Sequence, residues 1–282
     1  MRARTTMVSV ARMWLAVLLA VAPADAARAY SLLSYVGGDY ASAVGPRGEV
    51  ISRQELDEQS AFATDAAEGL RAAGAADLAE QADCLRSRIV ALAAPPEVMA
   101  LARALAARVA ARFKLAMIPE RAPDLRRGNE LYLQACAACH GADGSPRVGQ
   151  LELTTQPTAF SSRQQVARLS PQRIFSAVSF GVPGTAMPSF SDAFDEAARW
   201  DLAFAVLLLP HPPEELRRGE ELVRKLPRRP DWLQLAVRTD DQLRGSLQQS
   251  PFSAEDREAV IAAVRATFAD AKVTTADANR GR

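Results

Sequence analysis

The chain has 282 residues, of which 49% are hydrophobic and 24% are charged, and its formal net charge is +1. This composition excludes a collagen-like, low-complexity or wholly disordered chain. The 34 basic and 33 acidic residues nearly balance, so nucleic acid is not expected as a partner. Only three cysteines are present, which excludes a disulfide scaffold. The length favours two domains.

The first 26 residues have the pattern of a secretory signal peptide. Arginines precede an apolar stretch from Met13 to Ala22, and a small-residue site, Ala24-Asp25-Ala26, follows it. This order predicts export and cleavage after Ala26. The alternative is an uncleaved segment that tethers the protein, but the apolar stretch is too short to span a bilayer, so cleavage is favoured. No later segment has spanning length, and we expect the mature chain to lie in the periplasm or another extracytoplasmic space.

Residues 30–115 have the spacing of helices and no alternating run of β-branched residues. Apolar side chains recur at steps of three and four over 78–92 and over 98–109. Pro95-Pro96 separates these two helices, and residues 45–48, which contain Gly and Pro, separate an earlier pair. The pattern predicts a small antiparallel helical bundle.

The rest of the chain divides into four segments, and we find no internal repeat. A linker with two prolines covers 116–123, a chemically distinct segment covers 124–210, and a helical tail covers 211–270. The polar end, 271–282, is expected to be disordered. The fold class predicted for the whole chain is therefore all-α.

One motif in the second segment carries specific chemistry. Cys136-Ala137-Ala138-Cys139-His140 is a C-x-x-C-H sequence, in which the two thiols can form thioethers with one haem and the histidine can bind its iron. A redox disulfide or half of a zinc site are the alternatives. Zinc needs two more ligands, and only Cys84 and His211 remain. A redox disulfide needs a βαβ context, which is absent. We therefore expect one covalent haem c, with His140 as proximal ligand.

The sixth iron ligand can be sought among the residues after His140. Only Met187 and His211 bind low-spin haem iron well, and Met187 lies in a loop, residues 181–188, that is rich in glycine and proline. A loop of this kind can present a thioether at a fixed distance from iron. Met187 is the preferred distal ligand and His211 the alternative. His/Met ligation would raise the reduction potential and close the iron to other ligands.

These motifs together resemble a known family. The sequence G-x-x-L-Y-x-x-x-C-x-x-C-H-G, which begins at Gly128, is followed by the methionine loop and by a helix that contains Trp200. This order resembles a class I c-type cytochrome domain and covers residues 124–210. The resemblance implies a small helical domain around one haem, in agreement with the motif.

A second resemblance extends beyond the haem segment. The chain is similar to the extracytoplasmic half of bacterial high-affinity iron permeases that carry a fused cytochrome c. The segments that carry this similarity are 31–40, 48–50, 180–190, 199–204, 232–236 and 239–243. Those permeases continue into a membrane domain with Arg-Glu-x-x-Glu iron sites, and neither that motif nor a spanning helix occurs in this sequence. The resemblance implies a redox component that serves a separate permease.

The expected function is electron transfer rather than catalysis. The redox partner would be a ferric iron permease or a respiratory cytochrome, and the haem would accept the electron when Fe(II) is oxidised. A haem peroxidase or oxidase is one alternative, which needs an open sixth site and a distal acid–base group. A module that binds iron or a permease, with structural haem, is the other.

Several weaker features have simpler interpretations. Cys84 is expected to be buried and inert, and His211 to lie at the surface. Arginine pairs well with carboxylates, so Arg163, Arg168 and Arg173 are all candidates for a haem propionate. The N-terminal region is locally acidic, and solvated helix faces are favoured there over an iron site. Its acidic residues are Asp39, Glu49, Glu55, Asp57 and Glu58.

Overall fold

A computed structural model describes the backbone of residues 10–115, 117–146, 153, 155–226, 230–248 and 250–268, with side chains from 24 to 267. These residues form 13 helices and a single isolated β-bridge, between Val44 and Val50. The predicted all-α fold class is confirmed. The end predicted to be disordered, 271–282, lies outside the described residues, as do the first nine residues. The chain divides into two compact units, Met1–Leu115 and Ala116–Arg282.

The first unit is made of four helices. They are α1 (Val10–Ala43), α2 (Arg53–Ala72), α3 (Ala76–Val90) and α4 (Pro95–Phe113). Helix α1 packs against α2 and α4, and α3 packs against both of its sequence neighbours. The Ser52 side chain caps α2 by accepting the N–H of Glu55, and Pro95 occupies the first turn of α4, where its missing N–H costs nothing.

Helix α1 continues through the expected cleavage point without a break. Ala26 and Ala29 are buried, and the carbonyl oxygen of Asp25 lies 3.2 Å from the position that a Cβ on Gly69 would occupy. The contact between α1 and α2 therefore begins just before the expected cleavage point. Of the buried side chains of α1 that the structure describes, most, from Leu32 onward, follow that point and would remain after cleavage.

The prediction that Cys84 is buried is wrong, because the structure places this free cysteine on the exposed face of α3. The buried residues of this helix are Leu78, Ala79, Ala82, Leu85 and Ile89. Consecutive helical residues are about 100° apart around the axis. Cys84 therefore points away from this stripe although its neighbour in sequence belongs to it.

The second unit contains the haem motif, followed by the tail. Its first five helices are α5 (Leu125–Ala135), α6 (Ala137–His140), α7 (Arg163–Val166), α8 (Pro171–Phe180) and α9 (Glu196–Leu208). The tail consists of α10 (Pro213–Val223), α11 (Trp232–Val237), α12 (Asp240–Ser246) and α13 (Ala254–Phe268). Helix α5 packs against α9, α8 against α9 and α11, and α10 against α13.

A close crossing joins α5 to α9. A Cβ on Gly128 would lie 2.2 Å from the carbonyl oxygen of Asp201, so only glycine fits there. The buried Asp201 carboxylate accepts the N–H of Asp124 at 2.7 Å and hydrogen bonds from Arg121 at 2.5 Å and Arg127 at 3.4 Å. The free-energy cost of burying this charge is therefore offset by three hydrogen-bond donors at the start of the cytochrome-like segment.

His211 is buried, so the expectation of a surface histidine is wrong. Its backbone N–H donates to the Leu208 carbonyl at 3.0 Å, and its Nδ1 lies 3.4 Å from Oε2 of Glu215. Glu258 of α13 also lies within electrostatic range of the ring. The flanking prolines turn the chain after α9, and the tail folds back over this turn, which buries the imidazole. None of the helices in the described part of the chain is long and apolar enough to cross a membrane.

Candidate haem site

The C-x-x-C-H motif occupies the end of α5 and the single turn of α6. Cys136 follows the last residue of α5, and its carbonyl oxygen accepts the N–H of His140 at 2.9 Å. Cys136 is buried, whereas Cys139 is exposed. One thiol therefore belongs to the core of the unit and the other lies at its surface.

Burial also sets the protonation state of the inner thiol. It raises the pKa of Cys136 to about 11, and the neighbouring Cys139 adds to this rise. At neutral pH the side chain of Cys136 is therefore a neutral thiol.

His140 is held as a neutral imidazole with one nitrogen already paired. Its Nδ1 lies 3.0 Å from the carbonyl oxygen of Thr158, and its ring stacks on Phe160 with the ring centres 4.5 Å apart. Burial lowers the pKa of His140, and the contact with Thr158 opposes this shift. A proton on Nδ1 satisfies the carbonyl and leaves the lone pair of Nε2 for a metal, which is the usual arrangement of a ligating histidine.

Tyr132 closes the motif from the side of α5. Its hydroxyl donates to the carbonyl oxygen of Gly141 at 2.7 Å, and its ring meets Phe160 edge-on at 6.2 Å. Tyr132 is fully buried, and burial raises its pKa, which keeps the hydroxyl protonated. Phe160 thus contacts both His140 and Tyr132, and the three rings fix the orientation of the imidazole.

Met187 lies in the loop between α8 and α9, and this loop is closed by its own hydrogen bonds. The N–H of Val182 donates to the Met187 carbonyl at 3.1 Å, and the N–H of Met187 donates to the Thr185 hydroxyl at 3.1 Å. Gly181 has φ of +71°, and a Cβ there would lie 2.7 Å from the Met187 carbonyl oxygen. The half-buried Met187 packs against the hydrophobic cluster that contains Cys136.

Helix α9 supports this loop through residues that the sequence motifs did not single out as functional. Arg199 donates from Nη1 to the hydroxyl of Ser179 at 2.6 Å, and its guanidinium lies 5.1 Å from the centre of the Phe175 ring. The carbonyl of Ser179 accepts the hydroxyl of Ser189 at 2.7 Å. Because Ser189 is two residues after Met187, Arg199 is connected to the methionine loop through Ser179.

The three propionate candidates lie in different surroundings. Arg163 forms an ion pair with Glu215 of the tail, with Nη1 2.9 Å from Oε1. Arg168 is exposed, and Arg173 is half-buried in the first turn of α8. Arg163 therefore already has a carboxylate partner.

The acidic residues of the first unit are the other candidates for an iron site. Among the described residues, no group of three or more His, Cys, Asp or Glu side chains is arranged to hold a metal ion. Glu55 lies near Glu58 and Asp39, and its pKa is raised by burial first and then by these two charges.

A known protein family matches the segment that contains the C-x-x-C-H motif. Residues 123–203 match the family model described as "Cytochrome C oxidase, cbb3-type, subunit III". The match supports a c-type cytochrome domain in this segment. The match covers less than a third of the chain and includes both the C-x-x-C-H motif and the methionine loop. Neither a curated protein nor a solved structure matches the chain significantly.

The residues of the cytochrome domain fit haem c, the cofactor that this domain type implies. The motif supplies two thiols, one of which is held in its neutral form, and a neutral imidazole whose Nε2 is available. The domain type also indicates haem-based electron transfer and a redox partner protein.

Proposed function

We propose that this chain is an exported monohaem c-type cytochrome that transfers electrons. Cys136 and Cys139 form the thioethers, His140 is the proximal iron ligand and Met187 the distal one. The observation that carries this proposal is the pairing of His140 Nδ1 with Thr158, because it leaves the other ring nitrogen free for iron. The closed loop that holds Met187 against the core supports the second ligand.

Haem in this site would supply a one-electron carrier, and the chain would set its properties. Thr158 and Phe160 orient the proximal imidazole. A methionine opposite histidine raises the reduction potential. The buried side chains around Cys136 exclude water from the site, which reduces the reorganisation of solvent when an electron is transferred.

Catalysis as a peroxidase or oxidase needs an open iron site and a second acid–base group. His211 is the only other histidine, and its Nδ1 faces Glu215 in the contact between α9 and the tail. This buried position beside Glu215 favours a packing role for His211. Electron transfer therefore remains the function that we propose.

Optical spectra of the loaded protein test the ligands. The ferric form should show the weak far-red charge-transfer band of methionine-ligated haem, and the ferrous form should not bind carbon monoxide. Met187→Ala should abolish the band and allow carbon monoxide to bind, whereas the control Met117→Leu should keep both properties. Carbon monoxide binding by the unaltered ferrous protein would exclude Met187 as a stable ligand.

We further propose that the cytochrome acts beside an iron permease and accepts the electron released when Fe(II) is oxidised. This step rests on the similarity of the chain to the extracytoplasmic half of cytochrome-containing iron permeases. Stopped-flow mixing of ferric protein with Fe(II) should show reduction that saturates with Fe(II), and deletion of the gene should slow growth on limiting iron. Normal growth on limiting iron combined with impaired respiration would favour a respiratory cytochrome as partner instead.

Export is proposed from the pattern of the first 26 residues. Sequencing the N-terminus of the protein recovered from the periplasm should give Ala27 as first residue. Recovery of the intact N-terminus in the membrane fraction would instead establish the uncleaved tether.

A further inference from the structure

The sequence of α10 repeats that of α5. Residues 216–222 (LRRGEEL) match residues 125–131 (LRRGNEL) at six of seven positions. The two helices also bury the same positions, the glycine and the residue four places later: Gly128 with Tyr132, and Gly219 with Val223. The expectation that the chain has no internal repeat is therefore wrong. The matching stretch is only seven residues long.

Both glycines make the same contact with a later helix. A Cβ on Gly128 would lie 2.2 Å from the carbonyl oxygen of Asp201 in α9, and a Cβ on Gly219 would lie 1.9 Å from that of Ala259 in α13. The alanine four residues further along the partner helix is also placed alike. The Cβ of Ala205 lies 2.8 Å from the Cβ position on Gly128, and the Cβ of Ala263 lies 2.7 Å from that on Gly219. The pairs α5–α9 and α10–α13 thus cross in equivalent registers.

The partner helices also begin alike. Asp195 starts α9 and Ser253 starts α13, and each side chain accepts the N–H of the residue three places later, at 2.6 Å and 3.1 Å. In each helix the glycine contact is with the sixth residue after this cap. In each helix, too, the fourth residue after the cap is an arginine, Arg199 or Arg257, whose Nε is buried without a hydrogen-bond partner.

A third helix completes the correspondence. Ser170 caps α8 and Thr239 caps α12, each by accepting the N–H of the residue three places later. The fourth residue after each cap, Ile174 or Leu243, is buried. Helix α8 packs against α9, and α12 packs against α13. The order α10, α12, α13 therefore repeats the order α5, α8, α9.

The repeated helices have no means of binding haem. Residues 212–282 contain no cysteine, histidine or methionine. Where the cytochrome domain has its C-x-x-C-H motif, the tail has α11, whose Trp232, Leu235 and Ala236 are buried in the core. Side chains of the tail itself thus fill the interior between its helices.

We propose that residues 212–268 are a second cytochrome-type helical framework that carries no haem, and that it braces α8, the helix leading into the methionine loop. Helix α11 packs directly on α8. The N–H of Asp241 donates to the Ala167 carbonyl at 3.1 Å, and Glu215 pairs with Arg163, so the tail also holds the segment just before α8. This inference goes beyond the proposed electron transfer and does not depend on Met187 as a ligand.

Hydrogen exchange on the full-length, haem-loaded protein tests both parts. Gly219→Ala places a methyl group against the backbone of α13, whereas Gly245→Ala in α12 is a matched control because nothing lies within 4 Å of its Cβ position. We expect exchange to become roughly tenfold faster in α10, α13 and α8 of the Gly219 variant, with haem retained. Gly245→Ala should leave exchange unchanged.

The exchange rates of the Gly219 variant test the helix crossing and the bracing of α8 separately. Unchanged exchange in α10 and α13 would overturn the equivalent crossing, and faster exchange there with an unchanged α8 would overturn the bracing role. If Gly219→Ala does not fold, Trp232→Leu tests the brace by the same measurement on α8. A crystal structure of the loaded protein gives an independent check: α10, α12 and α13 should superpose on α5, α8 and α9 as one rigid group, and a different arrangement of the three helices would refute the repeat.

Discussion

The hydroxyl of Tyr132 donates a 2.7 Å hydrogen bond to the carbonyl oxygen of Gly141, the residue that directly follows the C-x-x-C-H motif. This bond joins α5 to the residue that follows α6, so the Tyr132 side chain holds the C-terminal end of the motif. Because Tyr132 also contacts Phe160, which stacks on His140, the same residue stabilises the position of the proximal imidazole.

Replacing Tyr132 by phenylalanine tests this bond. Tyr132→Phe should lower the free energy of unfolding by about 1–3 kcal/mol, since the buried carbonyl of Gly141 loses its donor. It should also lower the fraction of protein that carries haem. Tyr40→Phe removes a comparable bond, 3.2 Å to the Ala93 carbonyl, in the other unit. Thermal unfolding with haem quantification should show the loss of haem in the first variant alone, and equal haem content in both would contradict this role of Tyr132.

Arg199 is expected to influence the stability of the methionine loop. Its bond to Ser179 supports the residue that holds Ser189. In Arg199→Gln, the far-red band of the ferric protein should disappear at a lower pH than in the unaltered protein, because the loop releases its ligand more readily. Arg257→Gln in the tail is the control. If the band of both variants disappears at the same pH as that of the unaltered protein, Arg199 does not position the loop.

Asp201 should be a sensitive position for stability. Asp201→Asn removes a fully buried charge from contact with Arg121 and Arg127, and we expect a loss of about 3 kcal/mol. Chemical denaturation followed by circular dichroism measures it. The exposed Asp192→Asn should change stability by less than about 0.5 kcal/mol. A similar small change in both variants would show that the buried contacts of Asp201 contribute little.

The pair formed by Arg244 and Glu258 predicts a dependence of stability on pH. The hydrogen bond from Arg244, 2.9 Å at Nη2, lowers the pKa of Glu258 below its ordinary value of 4.5. A carboxyl with a lowered pKa in the folded state stabilises the protein fully above the ordinary value, and this contribution is lost as pH falls through the folded value. Arg244→Gln should therefore be less stable at pH 7 by up to about 1 kcal/mol.

This difference from the unaltered protein should shrink as the pH falls below 4.5, the ordinary pKa of Glu258. Arg238→Gln removes an equal charge whose guanidinium donates to the hydroxyl of Ser246, and it serves as the control. A deficit of Arg244→Gln that stays constant with pH would show that Glu258 is not the partner responsible.

Much of the fold could be predicted from local sequence signals. Pro95 fixes the start of α4 through the backbone itself, at the boundary between two helices that the sequence predicts. The C-x-x-C-H spacing likewise identified the haem segment, because that chemistry depends on a short stretch of chain. Such features need no knowledge of tertiary structure.

The features that escaped prediction depend on which helix face is buried and on contacts between distant parts of the chain. His211 is buried because the tail folds over it, and Cys84 is exposed because one position around α3 decides its direction. The acceptor of the His140 ring, Thr158, lies 18 residues away in an irregular segment. The support of the methionine loop by Arg199 likewise requires α8 and α9 to be packed together.

The central claim is that a single haem is bound covalently through Cys136 and Cys139. An intact mass spectrum of the denatured, exported protein, produced with the cytochrome maturation machinery, tests it most directly. The account predicts a mass increase of one haem, which is lost in the Cys136→Ala, Cys139→Ala double variant and retained in Cys84→Ala. The mass of the bare polypeptide, or that of two haems, would contradict it.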